Sequence, residues 1–286
     1  MSRPTTTAET IRRVAASTLT FSRLPLATAL ESLTKLGCTA VELAAHEGWA
    51  HVDPVALAKD PELAEAAVAA VKRAGVRVIA LNAGFRTSDP VLAHLQVDAL
   101  ADLATRLGAT VLTLPAGRDA PPATAARLAP LLATTQAHGI TLAVETHIGA
   151  VTEDPKAAVA LCHALPGLRL TLDPSHYWAG SAQGRDWERV VPLVAHLHLR
   201  DAGKGGWPKI QMAPGTGDVD WTAVLTALRQ AGYAGSLAVE YIDTLPIVGG
   251  TTAAAATKQM LACAHTWLET GAWPDTPRPT DPDGDH

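Results

Sequence analysis

Four short apolar runs in the second half of the chain each end in a side chain of the type that binds metal ions. The four terminal residues, in chain order, are Glu145, Asp173, His198 and Glu240. Each run has the length of a buried strand, and the stretches between the runs are long enough for a helix. Parallel strands joined by helical crossovers have their carboxyl ends at the same face. The pattern therefore predicts that these four side chains, far apart in sequence, converge on one point.

The same alternation extends over the whole chain. The remaining strands are predicted at 14–21, 39–43, 76–81 and 109–114, and helices at 25–36, 61–74, 89–107, 121–138, 154–165, 186–193, 221–231 and 251–270. Eight strands alternating with eight helices predict a (β/α)8 TIM barrel of the α/β class. The competing fold, a doubly wound open sheet, usually has a glycine-rich loop after its first strand, whereas residues 22–25 read Ser-Arg-Leu-Pro.

The length of 286 residues allows one large domain or two smaller ones. Because the strand and helix pattern is continuous, a single barrel domain is predicted over residues 1–272. The sequence from 273 to 286 is rich in proline and aspartate. It is predicted to be a C-terminal tail, either an exposed arm or a strap at an interface.

Composition limits the compartment and the partners. The net charge is −5 with both signs interspersed, so no basic stripe indicates a nucleic-acid partner. The N-terminus has no apolar signal core and the chain has no run of 18 apolar residues, which predicts neither secretion nor a membrane partner. Three widely spaced cysteines, Cys38, Cys162 and Cys263, match no zinc or disulfide pattern, as is typical of a cytoplasmic protein. Assembly into a homo-oligomer is left open.

Three carboxylates and one imidazole form a hard-to-borderline donor set. Such a set suits one divalent ion, with Mn²⁺ expected first and Mg²⁺, Co²⁺ or Zn²⁺ as alternatives. Two further residues would face the same site by strand parity. His147 has the parity of Glu145, and Arg200 has the parity of His198. Arg200 would reach an anionic or hydroxyl-rich substrate, or simply pair with Asp201. His196 lies one layer deeper and is predicted to be a hydrogen-bonded core residue.

Weaker candidates lie at or after other strand ends. Glu42, His51 and Asn82 belong to the second and third strands and loops, and Lys204 and Gln211 to the loop after the seventh strand. Each would contact substrate hydroxyls, and the alternative for each is an ordinary loop hydrogen bond. Three tryptophans in the same loops would line a sugar pocket or pack a lid: Trp49, Trp178 and Trp207.

Five segments, VETH, LTLDPSH, VAHLHLRDA, APGTGDVDW and GYAGSLAVEY, resemble the xylose-isomerase-like TIM-barrel superfamily. This group includes sugar phosphate isomerase/epimerase-type proteins, ketose 3-epimerases, inosose dehydratases and hydroxypyruvate isomerases. The resemblance covers most of the chain and is strongest over 142–241. It implies one divalent metal bound by Glu145, Asp173, His198 and Glu240. It also implies that the two glutamates act as the acid/base pair and that His176 binds substrate, as in the ketose epimerases.

The sequence departs from these relatives in three places. Ketose 3-epimerases have an acid-containing GE sequence followed by arginine after the ligand histidine, whereas this chain has Leu199-Arg200-Asp201, which resembles the inosose dehydratase branch. Hydroxypyruvate isomerases have Pro and Asn after the first glutamate, where this chain has Thr146-His147. The superfamily's abasic-DNA endonucleases need a basic surface that this chain lacks.

The expected function is that of a divalent-metal-dependent isomerase or epimerase. It would act on a sugar or keto-sugar through a metal-stabilised enolate, with Glu145 and Glu240 as acid and base. If the enolate instead expels a β-hydroxyl, the same site is a lyase or dehydratase. The substrate would then be a keto-polyol or an oxidised glycoside, and the chain would work alone or as a subunit of a larger complex. A metal-free binding or regulatory barrel is the third alternative.

Overall fold

The computed structural model describes residues 14–274. The predicted tail at 273–286 lies outside the described residues except for its first two positions. Trp273, the first of these, stacks on Trp221 with ring centroids 5.5 Å apart. Within the described part of the chain, no helix has both the length and the apolar character needed to cross a membrane.

Eight parallel strands form a closed barrel, which confirms the predicted (β/α)8 fold. We label them β1 to β8 in chain order: Val14–Ser17, Ala40–His46, Arg77–Gly84, Val111–Leu114, Thr141–Glu145, Arg169–Leu172, Val194–Leu199 and Leu237–Val239. Each strand pairs with the next, and β1 pairs with both β2 and β8, which closes the ring. A short additional strand, Ala50–His51, runs antiparallel to the end of β2.

Nine α-helices surround the barrel within the described residues. They are labelled α1 to α9: Leu26–Lys35, Pro54–Leu57, Glu62–Ala74, Pro90–Leu107, Pro121–Ala137, Pro155–Ala164, Pro174–Ala179, Trp221–Gln230 and Ala253–Thr270. Aspartates begin several of them. The Asp89 side chain, for example, accepts hydrogen bonds from the Val91 and Leu92 backbone N–H groups at 2.8 and 3.3 Å. These bonds satisfy N–H groups that the first turn leaves without partners.

Two predicted elements differ from the structure. The first strand ends at Ser17, and Thr18–Phe21 forms a 3₁₀ helix because the Ser17 hydroxyl accepts a hydrogen bond from the Leu19 N–H and turns the chain. The helix predicted at 186–193 is a 3₁₀ helix, Trp187–Leu193. It contains Pro192, which has no N–H to donate, after two β-branched valines.

Small side chains fill the lower interior of the barrel. Ala15, Ala143 and Ala238 belong to a separate buried cluster of mostly small residues. Ala143 and Ala238 each precede an inward-facing glutamate by two positions, so they face the interior as well. The larger apolar cluster lies between the strands and the helices. The narrow interior therefore closes with alanines below and opens with polar side chains above, at the carboxyl ends of the strands.

Candidate metal centre

The four metal-type side chains converge at the carboxyl ends of β5 to β8. One donor atom from each of Glu145, Asp173, His198 and Glu240 lies within 4.8 Å of the others. The His198 Nδ1 atom is 3.2 Å from Glu145 Oε1, 3.5 Å from Glu240 Oε2 and 4.0 Å from Asp173 Oδ2. The structure thus brings together residues that are as much as 95 positions apart in sequence (145 to 240).

Local backbone interactions orient Asp173. Its N–H donates to the Thr146 hydroxyl at 2.8 Å, so the loop after β5 holds the end of β6. Its Oδ1 atom accepts from the Ser175 N–H at 2.9 Å and caps α7, which leaves Oδ2 directed at the centre. Pro174 is the first residue of that helix. His176 therefore lies in α7, because the Asp-Pro pair begins a helix there.

The second nitrogen of His198 is held from below by Glu42. The Glu42 Oε1 atom lies 3.0 Å from the Nε2 atoms of both His198 and His196. The predicted core role of His196 is confirmed. The expected substrate contact of Glu42 is wrong, because this carboxylate is fully buried beneath His198.

Burial acts to lower the pKa of His198, but the charges of Glu240 and Glu42 and the hydrogen bonds to Glu145 and Glu42 raise it well above its usual value. Without a metal, His198 therefore keeps protons on both nitrogens and donates from Nδ1 to Glu145 Oε1 at 3.2 Å. A bound cation would take the place of the proton on Nδ1.

Arg200 lies inside the same cluster. Its guanidinium pairs with Asp173 at Oδ2 and with Glu240 at 3.3 Å, and its Nε donates to the Ser175 hydroxyl at 3.1 Å. The alternative that Arg200 pairs with Asp201 is wrong, since Asp201 accepts backbone N–H groups from the loop at 215–217 instead. Arg200 offsets one of the three carboxylate charges. With the three carboxylates ionised and the proton on His198 Nδ1 displaced, the remaining charge of −2 matches a divalent cation.

The two glutamates at the centre differ in acidity. Burial raises the pKa of Glu240 to about 8, and the charges of Glu145 and Asp173 add to this, against the opposing effects of His198 and Arg200. Burial also acts to raise the pKa of Glu145. There the hydrogen bond and charge of His198, with help from His147 and Arg200, outweigh burial and lower the pKa. A cluster in which one carboxyl retains its proton near neutral pH lacks positive charge. These residues therefore fit a bound divalent cation.

A cavity of about 250 Å³ opens above the cluster, and we call it the mouth cavity. Its lining combines polar groups at the floor with aromatic and aliphatic walls: Leu19, His46, Trp49, Asn82, Glu145, His147, His176, Arg200, Trp207, Glu240, Ile242, Thr244 and Leu245. The predicted candidate Asn82 is among them, and its Nδ2 donates to Glu240 Oε1 at 2.9 Å. Asn82 therefore orients this glutamate and leaves its second oxygen, Oε2, directed at the centre.

Two histidines with their rings in contact form one side of the mouth cavity. The rings of His147 and His176 are 4.0 Å apart, and both lie near Trp207. His147 Nδ1 donates to the Ile148 carbonyl at 2.6 Å, so in the neutral ring Nε2 is free to accept a hydrogen bond. Burial, together with the neighbouring cationic and imidazole groups, lowers the pKa of His176 well below its usual value. Both predicted substrate-binding histidines therefore lie where a bound molecule would meet them.

The structure places two other candidates outside the mouth cavity. His51 Nε2 lies 3.0 Å from the Thr18 carbonyl, and the ring lines a separate cavity beside α1 and α3. Lys204 is exposed, and its backbone N–H donates to Asp218. The weaker candidates divide as well. Trp49 and Trp207 line the mouth cavity, whereas Trp178 packs on Trp187 and Gln211 holds the Ile242 backbone.

One titratable residue of the mouth cavity was missed from the sequence. His46 is the last residue of β2 and lines the cavity. Burial lowers its pKa to about 4, and its Nε2 atom is buried without a hydrogen-bond partner. A signal was present, because Glu42 and His46 share strand parity and therefore face the same interior.

The sequence model of the xylose isomerase-like TIM barrel family matches residues 30–266. The chain belongs to this family. A search among curated proteins found no match to this chain.

Solved structures support the fold at low identity. A xylose isomerase-like TIM barrel protein from Mycobacterium smegmatis in complex with magnesium is 16% identical, with a TM-score of 0.73, and the match covers 90% of this chain and 96% of that one. The 3-keto-D-glucoside 4-epimerase YcjR from E. coli is 16% identical, with a TM-score of 0.65 and coverage of 90% and 99%. The probable 3-DHS dehydratase AsbF from Bacillus anthracis is 15% identical, with a TM-score of 0.67 and the same coverage. At these identities the likeness shows the fold alone.

Proposed function

We propose that this protein is a divalent-metal-dependent isomerase or epimerase of a sugar or keto-sugar, with Glu145 and Glu240 as the acid/base pair. The observation that carries the proposal is that these two glutamates both belong to the metal-type cluster and both line the mouth cavity. A substrate held at the cluster would lie within reach of both carboxyl groups. The epimerase and dehydratase among the structural neighbours support carbohydrate-type chemistry.

The metal ion would be held by Glu145, Asp173, His198 and Glu240, with Mn²⁺ expected first and Mg²⁺, Co²⁺ or Zn²⁺ as alternatives. When bound, a divalent ion would stabilise the negative charge that develops on the substrate's carbonyl oxygen. The magnesium complex of one structural neighbour supports a divalent ion at such a fold.

The two glutamates would divide the proton transfers. Glu145, whose pKa is lowered, is ionised at neutral pH and would remove the proton next to the carbonyl. Glu240, oriented by Asn82, would hold the proton that returns to the carbon from the other direction. The free Nε2 of His147 would accept a hydrogen bond from a substrate hydroxyl. The ring of His176, which packs against that of His147, would keep His147 in position. Trp49 and Trp207 would shield the reacting carbon from water.

A dehydratase is the second candidate, and the position of His147 at the mouth cavity favours it. In the imidazolium form, with protons on both ring nitrogens, His147 would give the Nε2 proton to a departing hydroxyl group, a step that an epimerase does not need. The Leu199-Arg200-Asp201 sequence also resembles the inosose dehydratase branch. The substrate would then be a keto-polyol or an oxidised glycoside.

The deciding experiment incubates metal-loaded protein with a panel of sugars, keto-sugars and keto-polyols in D₂O. An epimerase would place deuterium on the substrate carbon, detected by proton NMR, whereas a dehydratase would produce an enone or diketone absorbance. Glu145→Gln and Glu240→Gln serve as matched controls, and both should abolish the signal. Metal content below about a tenth of an equivalent after loading with each of the candidate ions would contradict the proposal.

We also propose a cytoplasmic location and a small-molecule carbohydrate as the partner, without nucleic acid or membrane. The buried, free thiols of Cys38, Cys162 and Cys263 support a reducing compartment. Association into a homo-oligomer would be measured by light scattering.

A further inference from the structure

A second cavity joins the mouth cavity. It has a volume of about 340 Å³ and shares four lining residues with the mouth cavity: His46, Asn82, Glu145 and His147. We call it the side lobe, and its remaining lining is formed by Ala83, Gly84, Pro115, Gly117, Arg118, Ile148, Gly149 and Ala150. The lobe leads away from Glu145 between the loops that follow β3, β4 and β5. A molecule at the metal-type cluster would therefore have space to extend in this direction.

Glycines keep the side lobe open. A Cβ atom on Gly84 would lie 2.6 Å from His46 Nδ1, so a side chain there would displace this histidine from the cavity wall. Gly117 and Gly149 have φ angles of 83° and 77°, a region that side-chain-bearing residues rarely adopt. At these three glycines the wall of the lobe is backbone alone, and the space that a side chain would occupy stays open.

Arg118 stands at the outer end of the lobe with its charge unpaired. Its side chain is exposed and lies over Gly149, with Nη2 3.8 Å from the position that a Cβ atom there would take. Among the ion pairs and side-chain hydrogen bonds of residues 14–274, none includes Arg118. A guanidinium that lines a cavity without an acidic partner is free to bind an anion.

The loop that carries Arg118 is fixed on both sides. Arg127 donates a hydrogen bond to the Ala116 carbonyl from α5, and the Val151 N–H donates to the Gly117 carbonyl at 2.7 Å. The second bond ties the loop after β4 to the loop after β5. The backbone beside Arg118 is therefore held in place, so binding would need to order only the arginine side chain.

The Arg118 guanidinium is the unbalanced charge of the lobe. The inner end meets Glu145 and the other carboxylates of the cluster, whose charge Arg200 and a bound divalent cation would offset. The outer end has the guanidinium, which would attract an anionic group on a bound molecule. This attraction favours an asymmetric substrate that places its anionic group in the lobe.

We propose that the side lobe is an anion subsite and that the substrate is a carbohydrate with a phosphate or carboxylate group away from its reacting carbon. Arg118 binds that group while the reacting carbon lies between Glu145 and Glu240. The orientation of the substrate rests on the proposed function. Anion binding at Arg118 does not, and the two parts are tested separately.

The first test uses inorganic phosphate as the probe and needs no substrate. Phosphate is titrated into the protein in Mg²⁺-containing buffer at constant ionic strength, and the backbone amides of Gly117 and Gly149 are followed by NMR. Both amides should shift in the wild type and in Arg23→Ala, a control that removes an exposed arginine from the loop after β1. They should stay unmoved in Arg118→Ala. Equal shifts in Arg118→Ala and the wild type, or none in the wild type, would overturn the anion subsite.

The second test compares D-fructose, D-fructose 6-phosphate and D-fructuronate by calorimetry on the metal-loaded protein. One of the anionic sugars should bind about 10-fold more tightly than the neutral sugar, as one charge-assisted pair provides. Which of them does so distinguishes phosphate from carboxylate. Arg118→Ala should remove the difference without weakening the neutral sugar, and Arg118→Lys should restore part of it. Equal binding of all three sugars would overturn the subsite, whereas binding of none, with phosphate still at Arg118, would count against the carbohydrate function.

Discussion

Two buried glutamates contact His198, and their pKa values are shifted in opposite directions. Glu42 lies below the histidine and Glu240 beside it, and both are almost inaccessible to water. Burial acts to raise the pKa of Glu42, but the charge of His198 and the hydrogen bonds from both histidines lower it well below its usual value. Burial raises the pKa of Glu240 to about 8, because it faces Glu145 and Asp173 as well as the cations.

The difference shows that the neighbouring charges and hydrogen bonds, and not burial itself, determine whether the pKa of a buried carboxylate is raised or lowered. The Oε1 atom of Glu42 accepts from two imidazole nitrogens, while its buried Oε2 atom has no hydrogen-bond partner among residues 14–274. Glu240 is crowded by like charge and would gain most from an added cation. The first arrangement is suited to orient a ligand and the second to bind a metal ion and exchange a proton. Substitution of each glutamate tests this contrast.

The largest expected effect is on turnover. Glu240→Gln preserves size and removes the group that exchanges the proton, so kcat should fall by about 10² or more. Glu42→Gln removes a carboxylate of equal burial that contacts no substrate, so kcat at saturating metal should change far less. Steady-state kinetics on a substrate identified by the D₂O panel measures both. Equal losses in the two variants would remove the distinction between them.

The second effect is on metal affinity. Glu42 fixes the nitrogen through which His198 faces the carboxylates, and loss of such an orienting partner typically weakens binding about 10- to 100-fold. Glu42→Gln should therefore raise the Kd for Mn²⁺, measured by competition with a chelator. Glu31→Gln, an exposed change on α1, should leave the Kd unchanged. An unaltered Kd in Glu42→Gln would show that His198 keeps its orientation without this partner.

The third effect is on stability against pH in metal-free protein. The pKa of Glu240 is about 8 when folded and 4.5 as a model value, so between these values the folded chain retains a proton that the unfolded chain has lost. The contribution of Glu240 to the free energy of unfolding should thus be fully present below pH 4.5 and be lost as pH rises to 8, by on the order of a few kcal/mol. Urea titrations at pH 5 and pH 8 measure the fall.

Glu240→Gln is the control for this pH effect, since its side chain does not titrate. The fall between the two pH values should be smaller in that variant by the contribution of Glu240. The same fall in both proteins would show that another group is responsible.

The smallest effect is expected for His176, which adjoins the cluster through Arg200 without belonging to it. His176→Ala should retain one equivalent of metal and lower kcat/KM by about 10-fold, as loss of one substrate-positioning contact would. Asp173→Ala is the contrast and should lose the metal while the barrel stays folded. Elemental analysis of both variants decides, and metal-free His176→Ala would show that the roles of His176 and His198 are reversed.

Much of the fold was predictable because local sequence patterns determine its strands and helices. The alternation of apolar runs with helical stretches predicted the barrel, and aspartate-proline pairs such as Asp89-Pro90 and Asp154-Pro155 predicted helix starts. The convergence of the four metal-type residues also followed from the sequence, since parallel strands place their carboxyl ends together. Local errors arose where one side chain overrode the pattern, as when the Ser17 hydroxyl ended β1.

The sequence by itself determined which residues face the interior, because side chains alternate along a strand. Tertiary structure alone decided which residues meet there and at what depth. Glu42 and His198 are 156 positions apart, and only closure of the barrel between β1 and β8 brings β2 opposite β7. Arg200 reaches Asp173 because the adjacent strands β6 and β7 end side by side, and the side lobe exists because three loops leave glycines at its walls. Alternation along a strand predicts which side chains point into the barrel, whereas the distances between those side chains depend on how all eight strands pack.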